Sequence, residues 1–180
     1  MTRTNFYVLS GAMGGGKSIV LSRLSDLGIR CVPEPAREIL AEQRRIHARG
    51  VPEKDPDLFS MLMLSRAIHS YQENSAREEP VVFDRGIPDM VAYASLFELD
   101  EMAYRNAAQE FRYHRTVFYF PPWEEIYTTD SERKVSFEDA KAFGVMVRSI
   151  YETFGYQMLE VPRFSVEERV QFIRERIADQ

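Results

Sequence analysis

Short apolar runs alternate along this chain with longer stretches of helical periodicity. Five runs read as strands: Asn5 to Ser10, Arg30 to Pro33, Pro80 to Asp84, Arg115 to Phe120 and Gln157 to Val161. Strands alternating with helices predict a parallel sheet. The helices carry their own start and stop signals. Gly28 closes a helix begun at Lys17, and Gly155 closes one begun after Ser136. Asp55-Pro56 reads as a cap with proline in the first turn, opening a helix through Met61, Leu64, Ile68 and Tyr71 whose methionines fill core. Ser165 and Glu168 form a capping box ahead of the apolar face Val166, Val170, Phe172, Ile173 and Ile177, so a final helix closes the fold.

A chain of 180 residues suits one domain spanning 1–180, a size at which folding buries about 70% of the unfolded surface. No internal repeat, low-complexity tract or linker divides it. Two long connections stand out. One includes the helix around Met61; the other, about residues 121–136, runs from Pro121-Pro122-Trp123 through Arg133-Lys134 and reads as a lid or binding element. Trp123 anchors its hinge or stacks on a base, or else, as a lone aromatic, serves packing. The net charge of −5 argues against nucleic acid as the main partner. The one cysteine, Cys31, excludes an intrachain disulfide and a multi-cysteine zinc site, and reads as a buried strand thiol. No segment reaches the roughly 18 apolar residues of a membrane span, and the amino terminus lacks a cleavage pattern, so a cytoplasmic protein is expected.

The chemistry begins at Gly11-Ala12-Met13-Gly14-Gly15-Gly16-Lys17-Ser18, between the apolar run Phe6-Tyr7-Val8-Leu9 and Ile19-Val20-Leu21. Strand, glycine turn and helix start in that order define a phosphate-binding loop. Glycine at 11, 14, 15 and 16 lets the chain turn its N–H groups inward on a phosphate. Lys17 adds a full positive charge, Ser18 offers a hydroxyl to Mg²⁺, and the helix opening through Ile19 points its positive dipole end at the same anion. ATP and Mg²⁺ are the expected cofactors.

Three acidic clusters can work with that loop. Asp84 ends a strand run, where it can hold Mg²⁺, take a proton from an acceptor hydroxyl, or cap the next turn. Arg85 beside it contacts phosphate or is structural. Glu34, between Pro33 and Pro35, sits at a strand-helix junction; glutamate is a poor cap, which favours an acceptor-site carboxylate or general base over a surface charge. Arg37 contacts acceptor or phosphate, or else pairs with Glu34 at i, i+3. In Asp130-Ser131-Glu132-Arg133-Lys134, Arg133 has the planar fork that suits a transferring phosphoryl group. His47, His69 and His114 lack metal-ligand spacing or a nucleophile elbow. The chain also has no Asn-Lys-x-Asp run, which weakens a GTPase reading.

Gly11 to Ser18, Pro33-Glu34-Pro35-Ala36-Arg37-Glu38, Asp84-Arg85-Gly86-Ile87-Pro88-Asp89 and Pro121-Pro122-Trp123 with Asp130-Ser131-Glu132-Arg133 together resemble the NadR-like AAA domain family. These small P-loop ATPases and kinases are related to the ribosylnicotinamide kinase half of bacterial NAD regulators and, more distantly, to nucleoside and nucleotide kinases. The ending Gly155-Tyr156 through Val161-Pro162 to Glu168-Arg169 fits as well. The resemblance implies a three-layer α/β fold with strand order 2-3-1-4-5. It also implies that Glu34 meets the acceptor, Asp84-Arg85 serves as the acid-arginine pair after the third strand, and Arg133 lies on a lid over ATP. The expected activity is ATP- and Mg²⁺-dependent phosphoryl transfer to a small-molecule acceptor of nucleoside or nucleotide type. A nucleotide-binding regulatory module and an ATPase using water as acceptor are the competing readings.

Overall fold

The computed structural model describes residues 2–128 and 135–178. Five parallel strands, β1 (Phe6–Gly11), β2 (Arg30–Val32), β3 (Val81–Asp84), β4 (Thr116–Phe120) and β5 (Gln157–Glu160), pair in the order β2-β3-β1-β4-β5. This is the expected order, and each strand end falls within about one residue of the run that predicted it. Winding reverses around β1, which opens a crevice at the carboxyl ends of β1 and β3, the place where open parallel sheets bind ligands.

The helices among the described residues are α1 (Lys17–Asp26), α2 (Ala36–Arg45), α3 (Pro56–Glu73), α4 (Ile87–Leu96), α5 (Met102–Glu110), α6 (Phe137–Thr153) and α7 (Val166–Ala178). Three of the predicted starts have the expected chemistry. Asp55 accepts from the Leu58 N–H at 3.0 Å, Ser136 Oγ accepts from the Asp139 N–H at 3.1 Å, and Ser165 with Glu168 closes both arms of its capping box. Gly28 and Gly155 take φ of +86° and +81° just past their helices.

Side-chain alternation along β1 divides the core into two layers. Phe6 and Val8 face α3, α4, α5 and α6 together with Val81, Phe83 and Val117; Tyr7 and Leu9 face α1 and α7 together with Val82, Phe118 and Phe120. Helix α4 was not marked by periodicity. It is buried from Ile87 through Ala94, and a helix apolar on every side has no polar stripe to reveal it. Cys31 lies in β2 as expected but is only partly buried; loss of solvent pushes its thiol up to about 11.

The glycines of the first turn differ in what they require. Gly11 has φ +119°, and a methyl group there would stand 2.3 Å from the Phe120 carbonyl oxygen, part of the neighbouring strand's backbone. Gly28 shares the left-handed conformation but has open space around it. Gly11→Ala is therefore expected to cost about 3 kcal/mol or more, from strain and overpacking together. Gly28→Ala should cost about 1 kcal/mol. Urea unfolding of the two variants beside the parent chain tests the order; equal losses would contradict the assignment of close approach at Gly11.

Candidate active site

The turn from β1 to α1 supplies the floor of the site. Gly11, Gly14 and Gly16 all adopt positive φ, which lets the loop curl while β1 and α1 stay straight on either side. Its glycines are closely approached by side chains. A methyl at Gly14 would meet the Tyr127 ring at 2.5 Å, and one at Gly16 would meet Arg169 Nη1 at 2.7 Å. The Tyr127 hydroxyl donates to the Val135 carbonyl at 2.6 Å, holding together the ends of the connection after β4, in which Glu124–Ile126 forms a 3₁₀ turn. Arg133, expected on this lid, lies outside the described residues.

Above the loop is a cavity of about 480 Å³ whose lining includes Lys17, Ser18, Glu34, Arg37, Asp84 and Arg85. The structure thus brings together candidates drawn from three separate stretches of chain. Gly14, Gly16 and Ile19 line it too. A second hollow, also reached by Ser18, Glu34, Arg37 and Asp84, continues past Cys31.

Each charged group has a distinct setting. Lys17 is buried and its Nζ donates to the Ala12 carbonyl at 2.6 Å, so the ammonium folds back onto its own loop. Burial first, then the Arg85 charge, lowers its pKa to about 8 against the pull of Asp84, Glu34 and Asp89. Ser18 Oγ donates to Asp84 Oδ2 at 3.1 Å, while Asp84 Oδ1 is buried with no hydrogen-bond partner among the described residues. Burial pushes the Asp84 carboxyl up to about 6, with Lys17 pulling down and Glu34 adding to the rise. Glu34 goes the other way: burial would raise it, but the Arg85 guanidinium, Lys17 and the Tyr93 hydroxyl hold it below its ordinary value. Two carboxylates in one cavity are thereby pushed apart, as functional acids often are.

Arg85 organises this cluster. Its Nε donates to Glu34 Oε1 at 2.8 Å, and its Nη1 reaches both Asp89 Oδ1 at 2.9 Å and the Gly11 carbonyl at 3.3 Å. The residue holds φ +69°, a conformation uncommon for a non-glycine side chain. Burial opposes its charge, but the groups around it, the Tyr93 hydroxyl and the Glu34 and Asp89 carboxylates, outweigh burial and raise its pKa well above the usual value. Asp89 is fully buried and also accepts from Ser10 Oγ at 2.7 Å, the Gly86 N–H at 2.9 Å and the Tyr151 hydroxyl at 2.6 Å. Glu34 pairs with Arg85 at 2.8 Å across the chain rather than through local spacing alone.

Three residues of the site were not anticipated in these roles. Asp89 and Tyr93 lie four residues apart on one face of α4, while Arg85 precedes the helix in a left-handed conformation and folds back onto that face. Arg169 arrives from α7, with Nη1 donating to the Gly15 carbonyl at 3.4 Å and the guanidinium 5.2 Å from the Trp123 ring centre. Nothing local in sequence connects residues so far apart. Trp123 is thus a packing surface for that arginine.

The sheet order, the loop and the acid-arginine pair after β3 define a three-layer P-loop domain of nucleotide-kinase type. The chain belongs to the AAA domain family, whose model matches residues 6–169. Solved structures share the fold at low identity. Deoxyadenosine kinase from M. mycoides, with products dcmp and dcdp, aligns at TM-score 0.69 and 15% identity, covering 97% of this chain and 100% of that one. The NadR protein in complex with NR aligns at TM-score 0.71 and 18% identity over 97% of this chain and 52% of that one. Shikimate kinase from Acinetobacter baumannii aligns at TM-score 0.57 and 18% identity over 98% and 93%. No curated protein matches in sequence. Among the described residues no helix is long and apolar enough to cross a membrane.

Removing the Asp89 carboxylate would leave a buried guanidinium half-neutralised and three further donors without an acceptor. Asp89→Ala is expected to lower unfolding free energy by about 3–5 kcal/mol. Chemical denaturation measures it, and a loss below about 1 kcal/mol would show that Asp89 does not balance Arg85.

Proposed function

We propose that this chain transfers the γ-phosphoryl group of ATP, taken as its magnesium complex, to a hydroxyl or phosphate oxygen of a small acceptor of nucleoside or nucleotide type. The observation that carries the reading is the pairing of one phosphate-binding loop with two carboxylates of opposite disposition in the same cavity.

The loop amides and Lys17 bind the polyphosphate. Lys17 needs only to swing from the Ala12 carbonyl to reach it, because the anion offers a stronger, charge-assisted partner. The donor set for Mg²⁺ fits: the Ser18 hydroxyl and the Asp84 carboxylate are hard oxygens, and Asp84 Oδ1 is buried with its acceptor capacity unused among the described residues. When bound, the ion neutralises charge on the phosphates. Glu34 is the acceptor-site base. Both of its hydrogen bonds arrive at Oε1, from Arg85 and Tyr93, so Oε2 is the atom that faces an acceptor hydroxyl. As the acceptor oxygen bonds to the γ-phosphorus, the bond to the β-phosphate oxygen breaks, ADP leaves and the hydroxyl proton passes to Glu34. Arg85 and Arg37 border the same space as acceptor contacts. Met13, Ala36, Leu40 and Tyr93 line the cavity beside Glu34 and give a flat, ring-bearing acceptor an apolar wall. Arg133, by the family resemblance, neutralises charge on the transferring phosphoryl group. The deoxyadenosine kinase, the NR complex and the shikimate complex support small acceptors for this fold.

ADP release in the presence of ATP, Mg²⁺ and a panel of nucleosides, nucleotides and nicotinamide riboside tests the reading. Acceptor-dependent release is expected; slow, acceptor-independent release would make the chain a hydrolase, and tight binding without release a regulatory module. Lys17→Ala should abolish turnover with the fold intact. Glu34→Gln should lower kcat about 10²- to 10⁴-fold while sparing ATP affinity, and an unchanged rate removes Glu34 from the chemistry.

The free Lys17 ammonium titrates near pH 8, and a bound triphosphate favours its protonated form. Affinity is therefore fully supported by this group below pH 8 and declines as pH rises above it, with proton uptake on binding. Calorimetry at pH 7 and pH 9 in buffers of different ionisation enthalpy reads that uptake directly. Equal proton counts at the two values would contradict direct contact between Lys17 and phosphate.

A further inference from the structure

Two arginines are almost completely withdrawn from solvent near the loop, and their surroundings differ. Arg85 is 6% exposed and has carboxylate oxygens at 2.8 and 2.9 Å. Its charge is matched within the fold. Arg169 is 4% exposed, yet it makes no ion pair among the described residues. Its hydrogen bonds run to two neutral carbonyls, Gly15 and Ser165, both at 3.4 Å, the long end of the range. The Trp123 ring covers one face of the guanidinium. Burial lowers the Arg169 pKa, and only the more distant Glu167 works the other way.

A guanidinium removed from water without an anion is expensive, and folds keep such groups only where something compensates them. The Trp123 face and two weak carbonyl bonds recover part of the loss. The remaining edge faces the cavity, since Arg169 lines the same space as Gly14, Gly16, Lys17 and Ser18. It also touches the loop itself, near enough that a methyl on Gly16 would collide with Nη1. The missing anion must therefore sit against the glycine loop.

We infer that Arg169 is a nucleotide-binding residue whose guanidinium pairs with the phosphate chain of the bound nucleotide, carried to the loop by α7 from the far end of the sequence. This rests on the reading of the loop as a triphosphate site and adds a second cation beside Lys17. The planar fork suits phosphate oxygens, and Trp123 fixes its plane before the ligand arrives.

The test is calorimetric titration of the parent chain, Arg169→Gln and Arg169→Met with Mg·ATP, sodium tripolyphosphate and adenosine. Met retains the apolar stem that packs on Trp123, which guards against loss of the fold in one variant. Affinity for Mg·ATP and tripolyphosphate should fall about 10- to 100-fold in both variants, with adenosine affinity unchanged. In the parent, the Arg169 Nε–H resonance should shift on addition of tripolyphosphate, a readout that needs no substitution. A parent that binds neither ATP nor tripolyphosphate defeats the triphosphate site and this residue with it. A parent that binds both, with variants within twofold of it or an unmoved Arg169 resonance, defeats the role of Arg169 alone. Equal losses for adenosine and ATP also overturn it, because the side chain would then support the base or the loop.

Discussion

A polyphosphate can be held by backbone only where consecutive N–H groups point into one concavity, and in this chain that depends on Gly11, Gly14 and Gly16 turning through positive φ between β1 and α1. Everything else in the site is arranged around that constraint. Gly11 lies so close to Phe120 that β4 fixes where the loop begins, and Gly144 of α6 packs on Ala12 from the other side. The loop is shaped by its neighbours before any ligand is present. Such preorganisation matters because phosphoryl transfer asks the protein mainly for position and charge.

Charge balance is the second theme. Arg85 has an unfavourable location, buried and in a left-handed backbone conformation, and is retained through Glu34 and Asp89. The same contacts orient Glu34, keep it ionised and link β1 through Ser10 to α6 through Tyr151. Beside the loop, Asp84 and Arg169 are two groups whose requirements the described residues leave unmet, one an oxygen without a donor and the other a cation without an anion. Both open on the cavity above the loop. In the proposed function a magnesium-bound triphosphate supplies what each lacks; burial is what pushes the Asp84 carboxyl up to about 6 and the Lys17 ammonium down to about 8.

Much of this was readable from sequence, for identifiable reasons. Loop, strands and capped helices are encoded locally: Gly11 to Ser18 by spacing, the strands by apolar runs, α3 and α7 by Asp55 and Ser165. Glu34 and Asp84 drew attention by position, Glu34 as a poor cap between two prolines and Asp84 at the carboxyl end of a strand, and the fold brings both to one cavity. Helix α4 escaped notice because burial on all sides erases amphipathic period. The partnership of Arg85 with Glu34, the anchoring by Asp89 and the approach of Arg169 to Gly15 are products of chain crossing, and no short window of residues contains them. Arg37 borders the cavity, and the buried partner of Glu34 is Arg85, a contact no local spacing announces.

The most direct measurement is a crystal structure with a non-hydrolysable ATP analogue and Mg²⁺. The account predicts the terminal phosphates enclosed by the amides of residues 14–18, Lys17 Nζ moved from the Ala12 carbonyl onto a phosphate oxygen, and Asp84 directed at the metal. An analogue bound elsewhere, with Lys17 still on Ala12, would contradict it.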